Sequence, residues 1–134
     1  MRKWTLVSLG IAVICYMALI YHVSSISNVK VPVNIGRHSD KVAHFGEYLV
    51  LSAMLVVVFS AKFSRRVAIL GAVIFASTFG VFDEIHQSFV PNRDSSYLDM
   101  LADCCGSICG AFLGSLGFAY VQKPSVDEER EEKN

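Results

Sequence analysis

Charge is scarce in this sequence. Asp, Glu, Lys and Arg make up 18% of it, while apolar residues make up 53%. A soluble domain needs more polar surface than that, so the apolar excess must face something other than water. Net charge is absent too, with 12 basic and 12 acidic residues and no basic stripe. There is thus no electrostatic case for nucleic acid, and none is expected as a partner. Cysteine is limited to Cys15, Cys104, Cys105 and Cys109, all in apolar segments. That excludes a disulfide framework, and the four are expected to act as small buried hydrophobes. A Cys105/Cys109 metal pair lacks the two further ligands that tetrahedral zinc wants nearby. No compact metal motif such as H-E-x-x-H occurs. No metal site is assigned on the sequence, and the cofactor is left open. No internal repeat is evident.

What the chain does contain is four apolar stretches, at about Trp4–Tyr21, Val42–Ala61, Val67–Phe82 and Leu98–Val121. Each approaches the ~20 residues that a helix needs to cross a ~30 Å hydrocarbon core. Lipid offers no partner to unpaired backbone groups, so these stretches are read as helices. The third is short and would need its polar C-terminal end to lie at the interface. Arg2 and Lys3 ahead of the first stretch resemble the start of a secretory signal. The run is long for one and no small-x-small cleavage site follows clearly, so a retained first span is expected.

The expected fold is all-α, a four-helix transmembrane bundle of the cytoplasmic (inner) membrane with both termini cytoplasmic. Orientation follows from the basic residues. Arg2, Lys3, Lys62, Arg65, Arg66, Lys123, Arg130 and Lys133 fall on one side; Lys30, Arg37, Lys41 and Arg93 fall on the other. The 134 residues divide into a transmembrane domain over 1–123 and a disordered, acidic cytoplasmic tail over 124–134. The segment Ser24–Ser39 reads as a loop outside the membrane, since Pro32 and Gly36 oppose a continuous helix. Trp4, Tyr16 and Tyr21 read as interfacial anchors or bundle contacts.

Polar residues gather at one face of this membrane. Asp40, Glu47, Asp83, Glu84, Asp94, Asp99 and Asp103 lie on the outer side or at outer helix ends, as do His22, His38, His44 and His86; the other acids are in the tail. An ionisable group costs about 3 kcal/mol near the bilayer centre and less near an interface, so a sequence keeps one where it pairs, meets water or binds something. Asp40, His44, Glu47 and Leu51 share one helical face by their spacing. Gly80, Asp83 or Glu84, and Gln87 share another where the third helix leaves the membrane. Asp99, Asp103, Gly106, Gly110 and Gly114 share a third. The three glycines repeat a small-xxx-small pattern that lets a second helix backbone approach closely, so this stripe, acids included, should face the bundle. Three helices then aim acids and histidine at a common outer vestibule. Any one of these residues alone reads as structural: Asp40 as a helix cap, Asp99 as a match to the helix dipole.

Three runs resemble one family. Asp40-Lys41-Val42-Ala43-His44-Phe45-Gly46-Glu47-Tyr48 resembles the first signature of VanZ-like proteins. Phe82-Asp83-Glu84-Ile85-His86-Gln87-Ser88-Phe89-Val90-Pro91-Asn92-Arg93 resembles the second, and Asp99 followed by Gly106 and Gly110 the third. Order and spacing match from about Asp40 to Gly114. One departure is Asp103, where the family often has Asn. The resemblance implies a small multi-helix membrane protein of bacteria; the name-giving member is associated with low-level resistance to the glycopeptide teicoplanin.

The candidate ligand-binding residues are Asp40, Lys41, His44, Glu47, Tyr48, Asp83, Glu84, His86, Gln87, Arg93, Asp99 and Asp103. Three functions compete for them. In the first, the vestibule holds an anionic lipid head group, a cell-wall precursor or a glycopeptide, with Arg37, Lys41 and Arg93 gripping phosphate. In the second, a membrane-embedded hydrolase or transferase acts on an envelope lipid. His44 and His86 are then bases or metal ligands, completed by Asp83, Glu84 and Asp99. In the third, the ion network fixes helix register or passes protons or ions, in a homo-oligomer that the glycine stripe could serve as readily as internal packing. Catalysis itself is left open.

Overall fold

The computed structural model describes residues 3–27, 39–93 and 95–121, with the side chains of 120 and 121 left aside. It contains four helices: α1 (Lys3–Ser24), α2 (Ser39–Ser60), α3 (Arg65–Gln87) and α4 (Tyr97–Val121). There is no strand among the described residues. All four helices are long and apolar enough to cross a membrane. Lys30, Arg37, His38 and Asp94, and the expected tail over 124–134, lie outside the described residues.

Helix α2 is the centre of the bundle, and small residues on its neighbours explain why. A Cβ at Gly106 would collide with the Phe45 carbonyl oxygen, one at Gly110 with that of Leu49, and one at Gly114 would lie 2.8 Å from that of Ala53. Both sets of residues advance by four, so α2 and α4 run parallel with backbones in direct contact, as the glycine stripe predicts. Helix α3 brings a second small-residue stripe, Ala68, Ala72, Ala76 and Gly80, all buried. That stripe was equally present in the sequence at the same spacing. Between these helices sit Tyr48, Leu51, Leu55 and Val56 of α2, with Ala111 of α4. Helix α1 lies at the periphery and buries only Val13, Ile20 and Ser24. Its Trp4 is 80% exposed, as suits a side chain in contact with lipid or its interface.

The third helix runs past its apolar stretch to Gln87, taking in the expected polar end. Its polar last turn stays helical because Asp83, Glu84 and Gln87 are buried against the other helices rather than released to water. One expectation is corrected: the cysteines are not buried, since Cys15, Cys105 and Cys109 are exposed and Cys104 is half-exposed. In a bilayer the outer surface is itself an apolar environment, so a small apolar side chain gains little from facing inward.

Candidate functional site

The turn that follows α3 prepares the site. Asn92 takes a positive φ of 61°, a conformation that asparagine tolerates better than most residues. It lies in a turn closed by the Arg93 N–H, which donates to the Val90 carbonyl at 3.2 Å, and Arg93 lines a cleft with Val23, Ser24, Asp40 and His44. Ser96 then starts α4: its Oγ accepts from the Leu98 N–H at 3.2 Å, an N-cap bond. Its own N–H donates to Glu84 Oε2 at 3.0 Å. One serine thus both begins α4 and fastens that helix to α3. The Ser96-x-x-Asp99 spacing carries a helix-start signature that could have located it from sequence.

Around this junction the polar side chains of all four helices meet. His44 of α2 sits between two carboxylates. Its Nδ1 is 3.0 Å from Asp103 Oδ1, and its Nε2 is 3.6 Å from Glu84 Oε1. An ionised carboxylate only accepts, so with Asp103 ionised Nδ1 carries the hydrogen in this contact. The Glu84 separation is too long for a hydrogen bond. Lys41 Nζ lies 2.8 Å from Asp99 Oδ1, with Lys41 27% exposed and Asp99 only 2%. Asp83 Oδ2 accepts from Ser24 Oγ at 2.8 Å and from Gln87 Nε2 at 2.9 Å, which ties α1 to α3. Gly80 makes room for Asp103: a Cβ there would lie 2.8 Å from Asp103 Oδ2.

The residues singled out from sequence thus fall into neighbouring groups. His44, Glu84 and Asp103 form the buried centre, and Lys41 and Asp99 form a pair beside it. Asp40, His44, Glu47, Gln87 and Arg93, with Val23, Ser24 and Ala43, line a cleft of about 30 Å³. That is room for about one or two waters or a small ion. Tyr48 is fully buried one turn below His44, and its hydroxyl has no hydrogen-bond partner. His86 stands apart. It is half-exposed on the α1 side, stacked on Tyr21 with ring centroids 4.4 Å apart and 2.9 Å from Ser25 Oγ. His22 is exposed. Tyr16 donates from its hydroxyl to the Glu47 carbonyl at 3.3 Å, so Tyr16 and Tyr21 are contacts between helices.

Ser24, Ser25 and Ser96 were not singled out from sequence. For the first two no local signal exists, since their partners Asp83 and His86 are about sixty positions away along the chain.

Two sets of residues could hold a cation, although the sequence assigned no metal: His44 with Glu84 and Asp103, and His44 with Asp40 and Asp99. Within each set the potential ligand atoms lie within 4.8 Å of one another. Chemically, an imidazole oriented by one carboxylate and facing another is suited to proton transfer or cation binding. The larger grooves lack such groups. One, of about 550 Å³, is lined by Leu49, Val50, Ala53, Met54 and neighbours. Another, of about 420 Å³, is lined by Phe59, Ile74, Phe75, Phe79 and neighbours. Both are apolar surfaces of the kind that alkyl chains cover.

No curated protein and no solved structure matches the chain. A family model described as VanZ/LLP1 matches residues 6–118, a span that takes in all four helices and every member of the site above. Its reach from α1 to α4 agrees with the three motif runs converging on one end of the bundle. This multi-pass membrane protein belongs to the VanZ/LLP1 family.

Proposed function

We propose that this VanZ/LLP1 protein lies in the bacterial cytoplasmic membrane, with both termini and the 124–134 tail inside, and recognises an envelope ligand at its outer polar cleft. The ligand is an anionic lipid head group or a cell-wall precursor, and the outcome is altered susceptibility to glycopeptides such as teicoplanin. The observation that carries this reading is Arg93. Its Nε is buried without a hydrogen-bond partner, on a cleft that also exposes Asp40 and Glu47. A guanidinium with a spare donor suits phosphate or carboxylate, and hydroxyls of a sugar or glycerol suit the flanking acids. The cleft's small volume means that a head group docks at its mouth.

The test is a glycopeptide susceptibility panel with and without expression, alongside binding of the purified chain to vesicles rich in anionic lipid. Expression should shift the panel, and Arg93→Ala should abolish both the shift and the binding. A panel unmoved by expression, together with vesicle binding unchanged in Arg93→Ala, would leave the reading without support.

A second reading has an observation of its own. His44, held by Asp103 on Nδ1 with Nε2 free toward Glu84, has the layout of an oriented general base. It favours a membrane-embedded hydrolase or transferase acting on an envelope lipid. Turnover of such a lipid, lost in His44→Ala, distinguishes this reading from the first.

A further inference from the structure

The buried centre of the site carries more negative charge than its surroundings offset. Asp83, Glu84, Asp99 and Asp103 are each no more than 2% exposed. Among the described residues, the positive groups against them are Lys41, which pairs with Asp99, and His44. Even with His44 protonated, two of the four carboxylates have no counter-charge. Arg93 does not close the gap, because the half-buried Asp40 and Glu47 share its cleft. Uncompensated buried charges are strongly unfavourable.

Protons alone do not resolve this. Glu84 Oε1 and Asp103 Oδ2 are both buried and both lack any hydrogen-bond partner. A proton on Asp103 Oδ2 would become a buried donor without an acceptor, and one on Glu84 Oε1 would face only His44 Nε2 at 3.6 Å, too far for a hydrogen bond. These two orphaned oxygens flank the same imidazole, and the 3.6 Å gap between His44 Nε2 and Glu84 Oε1 has a different meaning if something sits between them. Two ligand atoms bound to one tetrahedral cation at about 2.1 Å lie about 3.4 Å apart.

We propose that His44, Glu84 and Asp103 bind a divalent first-row transition cation such as Zn²⁺ or Mn²⁺. Their ligand atoms lie within 4.8 Å of one another, and all three residues are buried. One imidazole with two carboxylates is a nitrogen–oxygen set that suits zinc, manganese or iron; calcium and magnesium prefer oxygen alone, and monovalent copper prefers sulfur. The supporting groups are in place. The Ser96 N–H fixes Glu84 through Oε2, leaving Oε1 aimed at the imidazole. Asp103 meets the same imidazole, with Oδ1 3.0 Å from Nδ1 and Oδ2 left without a partner. The cleft lined by His44, Asp40 and Glu47 gives a hydrated cation its way in. A metal-binding His44 is neutral, so three of the four carboxylates then lack a counter-charge; a bound dication offsets two of them and occupies both orphaned oxygens. The inference is independent of which envelope ligand the protein recognises.

The experiment uses the full, tag-free chain in lipid nanodiscs, stripped with a chelator and titrated with Zn²⁺, Mn²⁺ or Co²⁺. Metal per chain is measured by elemental mass spectrometry, and cobalt is also followed by its visible absorption. The expected result is about one cation per chain. His44→Ala and Glu84→Gln should weaken binding by about tenfold or more, while Asp99→Asn and His86→Ala should bind as the unaltered chain does. If the substituted chains lose helicity, the unaltered chain decides by itself: no uptake of any of the three ions overturns the proposal. Uptake that survives Glu84→Gln but disappears in Asp99→Asn overturns it as well, because the cation would then belong to the Asp40, His44 and Asp99 set. A glycopeptide panel that fails to respond leaves the metal count unaffected, so the two ideas fail separately.

Discussion

His44 Nδ1 lies 3.0 Å from Asp103 Oδ1, with both side chains about 95% buried or more, and this contact joins α2 to α4 across 59 positions of sequence. Four residues further along each helix come Tyr48 and Ser107, both fully buried with unpartnered hydroxyls. The ion contact therefore sits at the top of a parallel helix pair whose register it shares with the glycine contacts beside it.

Removing one partner of a buried ion contact leaves the other uncompensated. His44→Ala should lower stability by about 3–5 kcal/mol, read as a shift in denaturant-induced loss of helicity in micelles. Asp103→Asn keeps an oxygen that can accept from Nδ1 and should cost clearly less. Equal losses for both substitutions would show that the contact geometry contributes little.

The glycine stripe makes a sharper prediction because it comes with internal controls. Gly110→Ala and Gly106→Ala drive a Cβ into the Leu49 and Phe45 carbonyls, whereas nothing lies within 4 Å of a Cβ at Gly10 or Gly117. The first two should lower the melting temperature or prevent accumulation of folded protein, through overpacking of about 1–3 kcal/mol or more. Gly10→Ala and Gly117→Ala should be neutral or slightly stabilising, since alanine is the better helix former. Uniform tolerance at all four positions would mean that α2 and α4 do not pack through these backbones.

Lys41 and Asp99 should behave as a unit. Lys41→Met alone leaves a buried carboxylate without its cation, so it should destabilise the chain more than the double change Lys41→Met with Asp99→Leu. A double-mutant cycle measured by unfolding in micelles should give a coupling of about 1 kcal/mol or more. Additive single effects would show that the 2.8 Å contact contributes nothing net.

Topology is tested by labelling. In a chain with its four native cysteines changed to serine or alanine, Lys62→Cys, between α2 and α3, should react with a membrane-impermeant maleimide only after the inner face is opened. Ser88→Cys, at the end of α3, should react in intact cells. Both positions are exposed. The opposite pattern would invert the protein and put the polar cleft on the cytoplasmic side.

The site was partly legible in the sequence. Spacing by three and four placed Asp40, His44 and Glu47 on one face of α2 and Asp99 and Asp103 on one face of α4, because helical periodicity is a local property. The same periodicity put Asp83 or Glu84 and Gln87 on one face of α3, but did not show which neighbours would hold that polar turn. Those are Ser24 and Ser96, whose bonds keep the last polar turn of α3 inside the bundle. His86 lies within the same motif run as Glu84 yet points to the other side, toward Tyr21. Two positions of helix rotate a side chain by about 200°, and motif membership does not report that angle.

Membrane character, the number of helices and the contact face of α4 could be read along the chain, since length, apolarity and residue spacing are local properties. Folding in three dimensions brings Glu84 and Asp103 to one imidazole and turns Asp99 to Lys41. It also decided that the cysteines look outward and that the polar cleft is small. These outcomes depend on helix rotation and on which distant groups meet. Where lipid replaces water outside, the apolar surface of each helix does little to choose that rotation; close backbone packing and buried polar partners choose it instead.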